Sequence, residues 1–240
     1  MIDINYLSWD TDVFGFKVGL LNDCLENKDV DFDKVISKAK EEDYSLLYYK
    51  NPAISDVLQS KGIKPVDEKV TYKKVIDSHD VNESWPISSV LHQPLQNDLL
   101  LLALQSGAHS RYYLDKKMPI HVYLSLYTAW IKNSLDGSIA TDVLAYQVDG
   151  RNVGLITYKY TDNVVTIGLL VVDYSSADNG IGSKLIRQLC SLFPEGTVIE
   201  VATQKKNTGA CRFYEKNGFK VDSVQDIYHI WVDEYCKLTK

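Results

Sequence analysis

Two glycines, Gly180 and Gly182, stand where a helix begins in LLVVDYSSADNGIGSKLIRQLC, residues 169–190. Ile181, Leu185, Ile186, Leu189, Cys190 and Phe193 fall on one helical face, with Ser183, Lys184, Arg187 and Gln188 on the other. The first amides of a helix have no internal partner, and the dipole is positive there. Glycine lets a ligand come close to the backbone. Such a start can hold an anion such as a pyrophosphate; the alternative is a tight strand-to-helix turn with no ligand. Two familiar phosphate motifs fail. A P-loop needs Gly directly before Lys and then Ser or Thr, whereas Ser183 precedes Lys184 and Leu185 follows. A dinucleotide fingerprint needs a third Gly where Leu185 stands.

A second constellation follows in TQKKNTGACRFYEKNGF, residues 203–219. Asn207 is a good N-cap for TGACRFYEK. Tyr214 lies almost two turns on, on the same face as Asn207. Its hydroxyl could donate a proton, or its ring could serve as core. Gly218 ends the helix and Phe219 opens an apolar strand. A third group, His109, Arg111 and Asp115, crowds the loop AHSRYYLDKKMP, residues 108–119. Arg111 could grip phosphates in two-pronged fashion or form a structural ion pair.

The elements that must position these residues read as α/β. Residues 46–50 and 70–76 read as strands, and 29–43 and 54–62 as helices, the second stopped by Gly62. Residues 78–86 form a polar connector ending at Pro86, before an apolar helix over 95–107. Pro119 opens a helix that buries Tyr123, Leu126, Tyr127, Trp130 and Ile131. Residues 141–160 form a hairpin turning at Asp149–Gly150. Residues 163–173 read as a central strand buried on both faces. A strand over 197–203, the helix from Asn207 to Asn217 and a strand from Phe219 to about Trp231 complete the chain, with His229 and Trp231 as a half-buried pair.

Composition narrows the class. The 240 residues are 45% hydrophobic, enough for a packed core. A net charge of −6 argues against a nucleic-acid partner held by a basic surface, but leaves room for small anions. Cys24, Cys190, Cys211 and Cys236 form no CxxC pair and no zinc spacing, so no metal is expected. Cys190 and Cys211 read as small core residues. MIDINYLSWD lacks a basic start and an apolar run, and no stretch is long enough to span a membrane. The expectation is a reduced, cytoplasmic, soluble protein.

The loop Ala177-Asp178-Asn179-Gly180-Ile181-Gly182 and the segment from Asn207 to Phe219 resemble the GNAT superfamily of acyl-CoA-dependent N-acyltransferases over about residues 140–232. The first departs from the family pattern, with Ala177 in place of Arg or Gln and Asp178 where Gly is common. Trp9-Asp10-Thr11-Asp12-Val13-Phe14-Gly15 and Ser110-Arg111-Tyr112-Tyr113-Leu114-Asp115 are similar to segments of the TDP-fucosamine N-acetyltransferase group, with Val13 and Tyr112 replacing the usual aromatics.

The resemblance implies a GNAT fold, a central mixed and mostly antiparallel sheet flanked by helices. A smaller N-terminal α/β region (1–85) would precede an acyl-CoA-binding catalytic domain (86–240). It implies pyrophosphate on the amides of Asn179, Gly180, Ile181, Gly182 and Ser183, pantetheine along Leu170, Val171 and Val172, and a contact from Asn207. A backbone N–H of Leu170 or Val172 would polarise the thioester carbonyl, and Tyr214 would protonate the leaving thiolate. Trp9, Asp12, Phe14, His109, Arg111, Tyr112 and Asp115 would line the sugar-nucleotide site, His109 and Asp115 being candidates for the base. The implied reaction moves acetyl or a short hydroxyacyl group from acyl-CoA to the C3 or C4 amine of a dTDP-linked amino-dideoxyhexose for surface polysaccharide, without metal, nucleic acid or membrane insertion. A homodimer is one option. Two alternatives stay open: a GNAT acting on a protein or another small amine, and a non-catalytic acyl-CoA-binding protein, for which Ala177 and Asp178 speak.

Overall fold

The computed structural model describes residues 3–22, 31–51, 56–77 and 85–238. In chain order its elements are β1 (Asp3–Tyr6), α1 (Ser8–Phe14), β2 (Val18–Asn22), α2 (Phe32–Glu41), β3 (Leu46–Asn51), α3 (Asp56–Ser60), β4 (Asp67–Val75), β5 (Ile87–Ser89), α4 (Asn97–Ser106), α5 (Arg111–Leu114), α6 (Ile120–Leu135), β6 (Asp142–Val148), β7 (Arg151–Thr161), β8 (Val164–Val172), α7 (Ile181–Ser191), β9 (Val198–Gln204), α8 (Thr208–Lys216), β10 (Lys220–Trp231) and α9 (Val232–Leu238). Short 3-10 turns lie at Gly107–His109 and Tyr174–Ser176. Most of the connector read over 78–86, the starts of the helices read over 29–43 and 54–62, and Cys24 lie outside the described residues.

The chain divides into two compact units, Met1–Lys69 with Val224–Lys240, and Val70–Ser223. This differs from a division at residue 85, because the chain's end returns to its beginning. β10 pairs antiparallel with β3 from Asp226↔Asn51 to Trp231↔Leu46. In the first unit the strand order is β1-β2-β3-β10. Phe32, Val35, Ile36 and Ala39 form the buried stripe of α2, at the spacing a helix needs. They pack with the alternate residues Leu47, Tyr49, Tyr228 and Ile230 and with Tyr235 of α9.

In the second unit the order is β4-β9-β8-β7-β6-β5, with β8 parallel to β9 and antiparallel pairing from β8 through β5. The Asp149–Gly150 hairpin forms as read, both residues having positive φ (50° and 76°). Ile181, Leu185, Ile186, Leu189 and Cys190 of α7 are buried in the core this sheet provides. A Cβ at Gly154 of β7 would lie 2.9 Å from Ile181, so the helix rests directly on that strand's backbone. α4 packs against β7 and β8, and α6 against α4. The strand buried on both faces is β7, over residues 152–158, rather than β8, which leaves Thr166 and Gly168 exposed.

β8 carries the decisive irregularity. Thr157 pairs with Leu169 and Tyr158 with Ile167, so Gly168 is an extra residue, a β-bulge. The Leu169 N–H donates to Thr157 Oγ1 at 2.9 Å. The bulge shifts the side-chain alternation. Val165 and Ile167 before it, and Leu170 and Val172 after it, pack toward the same core. Pairing between β8 and β9 ends at Ile167↔Val201, although β8 runs on to Val172 and β9 to Gln204. Beyond that rung the parallel ladder is open.

No described helix is long and apolar enough to cross a membrane. Thr157→Val keeps the shape of the Thr157 side chain, which is 1% exposed, but leaves the buried Leu169 amide without its acceptor. The expected loss is about 1–3 kcal/mol of stability in chemical denaturation. An unchanged midpoint and slope would remove Thr157 as the bulge's support.

Candidate active site

The open edge of β8 defines the site. The Asp173 N–H donates to the Val153 carbonyl at 2.8 Å, and Leu169 turns its N–H toward β7 as well. Backbone groups alternate along a strand, so Leu170 and Val172 direct theirs the other way, where β9 no longer pairs. Val171 turns its main chain to β7 and its side chain is buried. It therefore supports the edge instead of contributing to it, a correction to its expected role. The Val172 carbonyl accepts a 2.7 Å hydrogen bond from Gln105 Nε2 at the end of α4.

From this edge the chain passes into the glycine loop. Asp173 accepts from the Ser175 amide (2.8 Å) and hydroxyl, which with Arg151 hold its carboxyl below the usual range. Asp178 (φ 64°) and Gly180 (φ 69°) are both left-handed, which accounts for the glycine common at position 178 in the family pattern. Asn179 Nδ2 donates to the Ser176 carbonyl at 3.3 Å and braces the loop. Gly180 caps α7 with no side-chain hydrogen bond. The first internal bond runs from Lys184 N–H to Gly180 O (3.0 Å), so the amides of Ile181, Gly182 and Ser183 point out of the helix end.

The two glycines differ in what they permit. No atom lies within 4 Å of a Cβ built at Gly180, so there the backbone is open to approach. A Cβ at Gly182 would meet the Phe213 ring at 2.9 Å and Val172 Cγ2 at 3.7 Å. Gly182 is thus required by packing, and it brings the helix start against α8 and the open end of β8.

On α8, Asn207 is the N-cap, its Oδ1 accepting from Ala210 N at 3.1 Å. That engagement leaves its Nδ2 as the group able to meet a ligand. Tyr214 is buried among Tyr72, Phe213 and Phe219, at ring separations of 5.7, 5.3 and 5.5 Å. Burial pushes its hydroxyl well above the usual 10, and no described residue hydrogen-bonds it. Its ring is core, and burial favours the protonated form of its hydroxyl. Tyr72, not anticipated, donates to Glu215 Oε1 at 3.2 Å, and burial raises it too. Cys190 is core, whereas Cys211 is only half-buried.

Residues 109–115, read as loop, form a 3-10 turn and the short α5. His109 is exposed. The Arg111 guanidinium lies 4.3 Å from the Tyr112 ring centre and donates to the Tyr112 hydroxyl. Asp115 accepts from the Lys117 amide at 3.0 Å and so caps a turn. In the first unit, Trp9 is 43% exposed and Asp12 is exposed on α1. Phe14 is 1% exposed and packs on Phe16 at 5.7 Å. That makes it a core residue supporting α1 and corrects its expected place in a ligand site. Asp10, one turn before it, accepts from the Tyr48 hydroxyl at 3.2 Å. His229 is buried, its ring 5.2 Å from that of Tyr48, and Trp231 is half-buried. Among the described residues no three His, Cys, Asp or Glu side chains gather where they could hold a metal ion.

Residues 104–219 match the family described as acetyltransferase (GNAT) family. The chain carries a GNAT acetyltransferase domain. It takes in the open β8 edge, the glycine loop and Tyr214, and lies within the second unit. The spore coat polysaccharide biosynthesis protein SpsD of Bacillus subtilis is 27% identical over 139 residues, 57% of this chain and 47% of that protein, so the match spans about half the relative's length. Among solved structures, a functionally unknown conserved protein from Staphylococcus epidermidis superposes with a TM-score of 0.68 at 14% identity, over 95% of this chain and 90% of that one. A GCN5-related N-acetyltransferase from Sphaerobacter thermophilus gives 0.57 at 13% identity, over 96% and 76%. Both share the GNAT fold with this chain.

Gly182→Ala should press on Phe213 and lower stability by about 1–3 kcal/mol, the usual range for overpacking. Phe213→Ala in that background should then cost less than it does alone. Strictly additive losses in thermal melts of the double-mutant cycle would break the proposed contact.

Proposed function

We propose that this chain is an acyl-CoA-dependent N-acyltransferase whose acceptor is the amine of a nucleotide-linked amino-dideoxy sugar. One observation carries the acyl-CoA part: β8 leaves β9 after Ile167 and directs the Leu170 and Val172 amides into the opening, next to the uncapped start of α7. An acyl-pantetheine laid along that edge would have its pyrophosphate at the amides of Ile181, Gly182 and Ser183. The neutral amine attacks the thioester carbonyl, and the N–H of Leu170 or Val172 bonds to the oxyanion that forms. The tetrahedral intermediate collapses, the C–S bond breaks, and the thiolate takes the Tyr214 proton. The proton lost by the amine passes to a base or to water. His109 is the better base candidate, because Asp115 is engaged by the Lys117 amide.

The sugar acceptor is supported by two observations of sequence. One is the similarity to SpsD, whose name places that protein in polysaccharide biosynthesis. The other is the likeness of residues 9–15 and 110–115 to the TDP-fucosamine N-acetyltransferase group. On this reading the acceptor is a dTDP-linked 3-amino- or 4-amino-dideoxyhexose and the product feeds surface polysaccharide.

Thiol release from acetyl-CoA or 3-hydroxybutyryl-CoA, measured with each dTDP-amino sugar, tests the proposal. Rapid turnover with one sugar is expected. Turnover only with peptides or simple amines would overturn the sugar acceptor, and acyl-CoA binding without turnover on any amine would leave a binding protein. Tyr214→Phe should lower kcat by about 100-fold or more, in the range of general acid catalysis, while acyl-CoA affinity stays within about twofold. Equal losses in both would remove the acid role. Because burial raises the Tyr214 pKa above 10, the hydroxyl keeps its proton up to that pH. The wild-type rate should therefore climb as the amine deprotonates and show no Tyr214-dependent falling limb below it.

A further inference from the structure

We propose that Gln105 is a positioning residue for the acyl donor, fixing the last rung of β8 on which a pantetheine arm would pair. The inference rests on the acyl-CoA reading and adds to it a residue from outside the strand and the loop. Past Ile167↔Val201 the β8 edge has lost its strand partner. The Val172 carbonyl is on this open stretch, yet it accepts a 2.7 Å hydrogen bond from a helix side chain, Gln105 Nε2.

The donor is itself held firmly. At the start of α4, Asp98 Oδ2 accepts from the main-chain N–H (2.8 Å) and the side-chain amide (3.1 Å) of Asn152 on β7. Gln96 Oε1 accepts from the same amide at 3.1 Å. Gln147 Nε2 completes the set by donating to Asn152 Oδ1 at 3.1 Å. Asn152 is buried and fully engaged. α4 is therefore tied to β7 at its first turn and to β8 at its last.

A carbonyl oxygen has two lone pairs, so Gln105 leaves one for a ligand amide. Holding that oxygen fixes the peptide plane after Val172. The arm of an acyl-CoA carries secondary amides that can add to a strand edge as another strand would. An edge already held in strand geometry need not be ordered when the ligand arrives. If Gln105 were instead a plug in the ligand's place, removing it would tighten binding.

Calorimetry of the full chain with two probes separates these outcomes. Acetyl-CoA reports on the whole donor, and 3′-phospho-ADP reports on its nucleotide half alone. Gln105→Met keeps length and removes the donor. It should weaken acetyl-CoA about five- to tenfold, the effect of one partly buried hydrogen bond, and leave 3′-phospho-ADP within about twofold. Gln105→Glu sets a carboxylate against the Val172 carbonyl and should weaken acetyl-CoA further than Met does. Unchanged or tighter acetyl-CoA binding by Gln105→Met would overturn the proposal. Equal losses for both probes would also overturn it, marking Gln105 as a general structural prop. A wild-type chain that bound neither probe would overturn the acyl-CoA reading itself, and this inference with it.

Discussion

The break in pairing between β8 and β9 after Ile167↔Val201 is the constraint on which the second unit turns. A strand inside a sheet normally satisfies its polar groups on both sides, and a buried group left without a partner costs about 1–3 kcal/mol. Opening the ladder therefore obliges the rest of the fold to supply substitutes. On the open side Gln105 replaces a ladder amide for the Val172 carbonyl. On the β7 side, at the bulge, Thr157 Oγ1 stands in for a ladder carbonyl to the Leu169 amide. The bulge at Gly168 lets both arrangements coexist, because the extra residue re-aims the strand while Val165, Ile167, Leu170 and Val172 keep packing on one core. What remains unclaimed by the sheet is a short row of backbone groups beside a helix start, and that is what an amide-bearing phosphate ester can use.

Close packing holds the neighbouring parts at this opening. α7 lies on the bare backbone of Gly154, and the Phe213 ring fills the space that a side chain at Gly182 would need. Small residues at both contacts let helix, strand and α8 approach each other more closely than ordinary side chains permit. The loop between them relies on main-chain donors. Asp178 adds a negative charge nearby, and Arg151 is drawn to Asp173 at 3.4 Å. In the first turn of α7, Lys184 rests 5.5 Å from the centre of the Tyr146 ring. On the proposed reading, an anion here would meet the free helix amides and not one of these two cations.

Features written in a few adjacent residues were legible in the sequence. The apolar face of α7, the Asn207 cap, the stop at Gly218 and the Asp149–Gly150 turn all follow from local spacing and local conformation. What escaped depends on residues far apart in the chain. The bulge exists only in the register of β7 against β8. Gln105 reads as one polar position on an apolar helix until Val172 is set beside it. Phe14 sits in a segment that resembles a ligand-binding motif, and only its burial reveals it as core. α1 is short and begins without a side-chain cap, so neither periodicity nor a helix-start signal announces it. The joining of Val224–Lys240 to the first unit follows from the pairing of β10 with β3, which no local pattern encodes.

The chemistry that the opening favours needs an acid and a base with opposite surroundings. A phenol can deliver a proton to a thiolate only while it holds one, and burial among Tyr72, Phe213 and Phe219 keeps Tyr214 in that state by disfavouring its anion. The group that takes the amine's proton must instead return it to solvent before the next turnover. Exposure serves that need, as at His109, whereas Asp115 already accepts from the Lys117 amide. In the proposed mechanism Tyr214 is both core aromatic and acid, and the packing that buries it favours the form that still holds its proton.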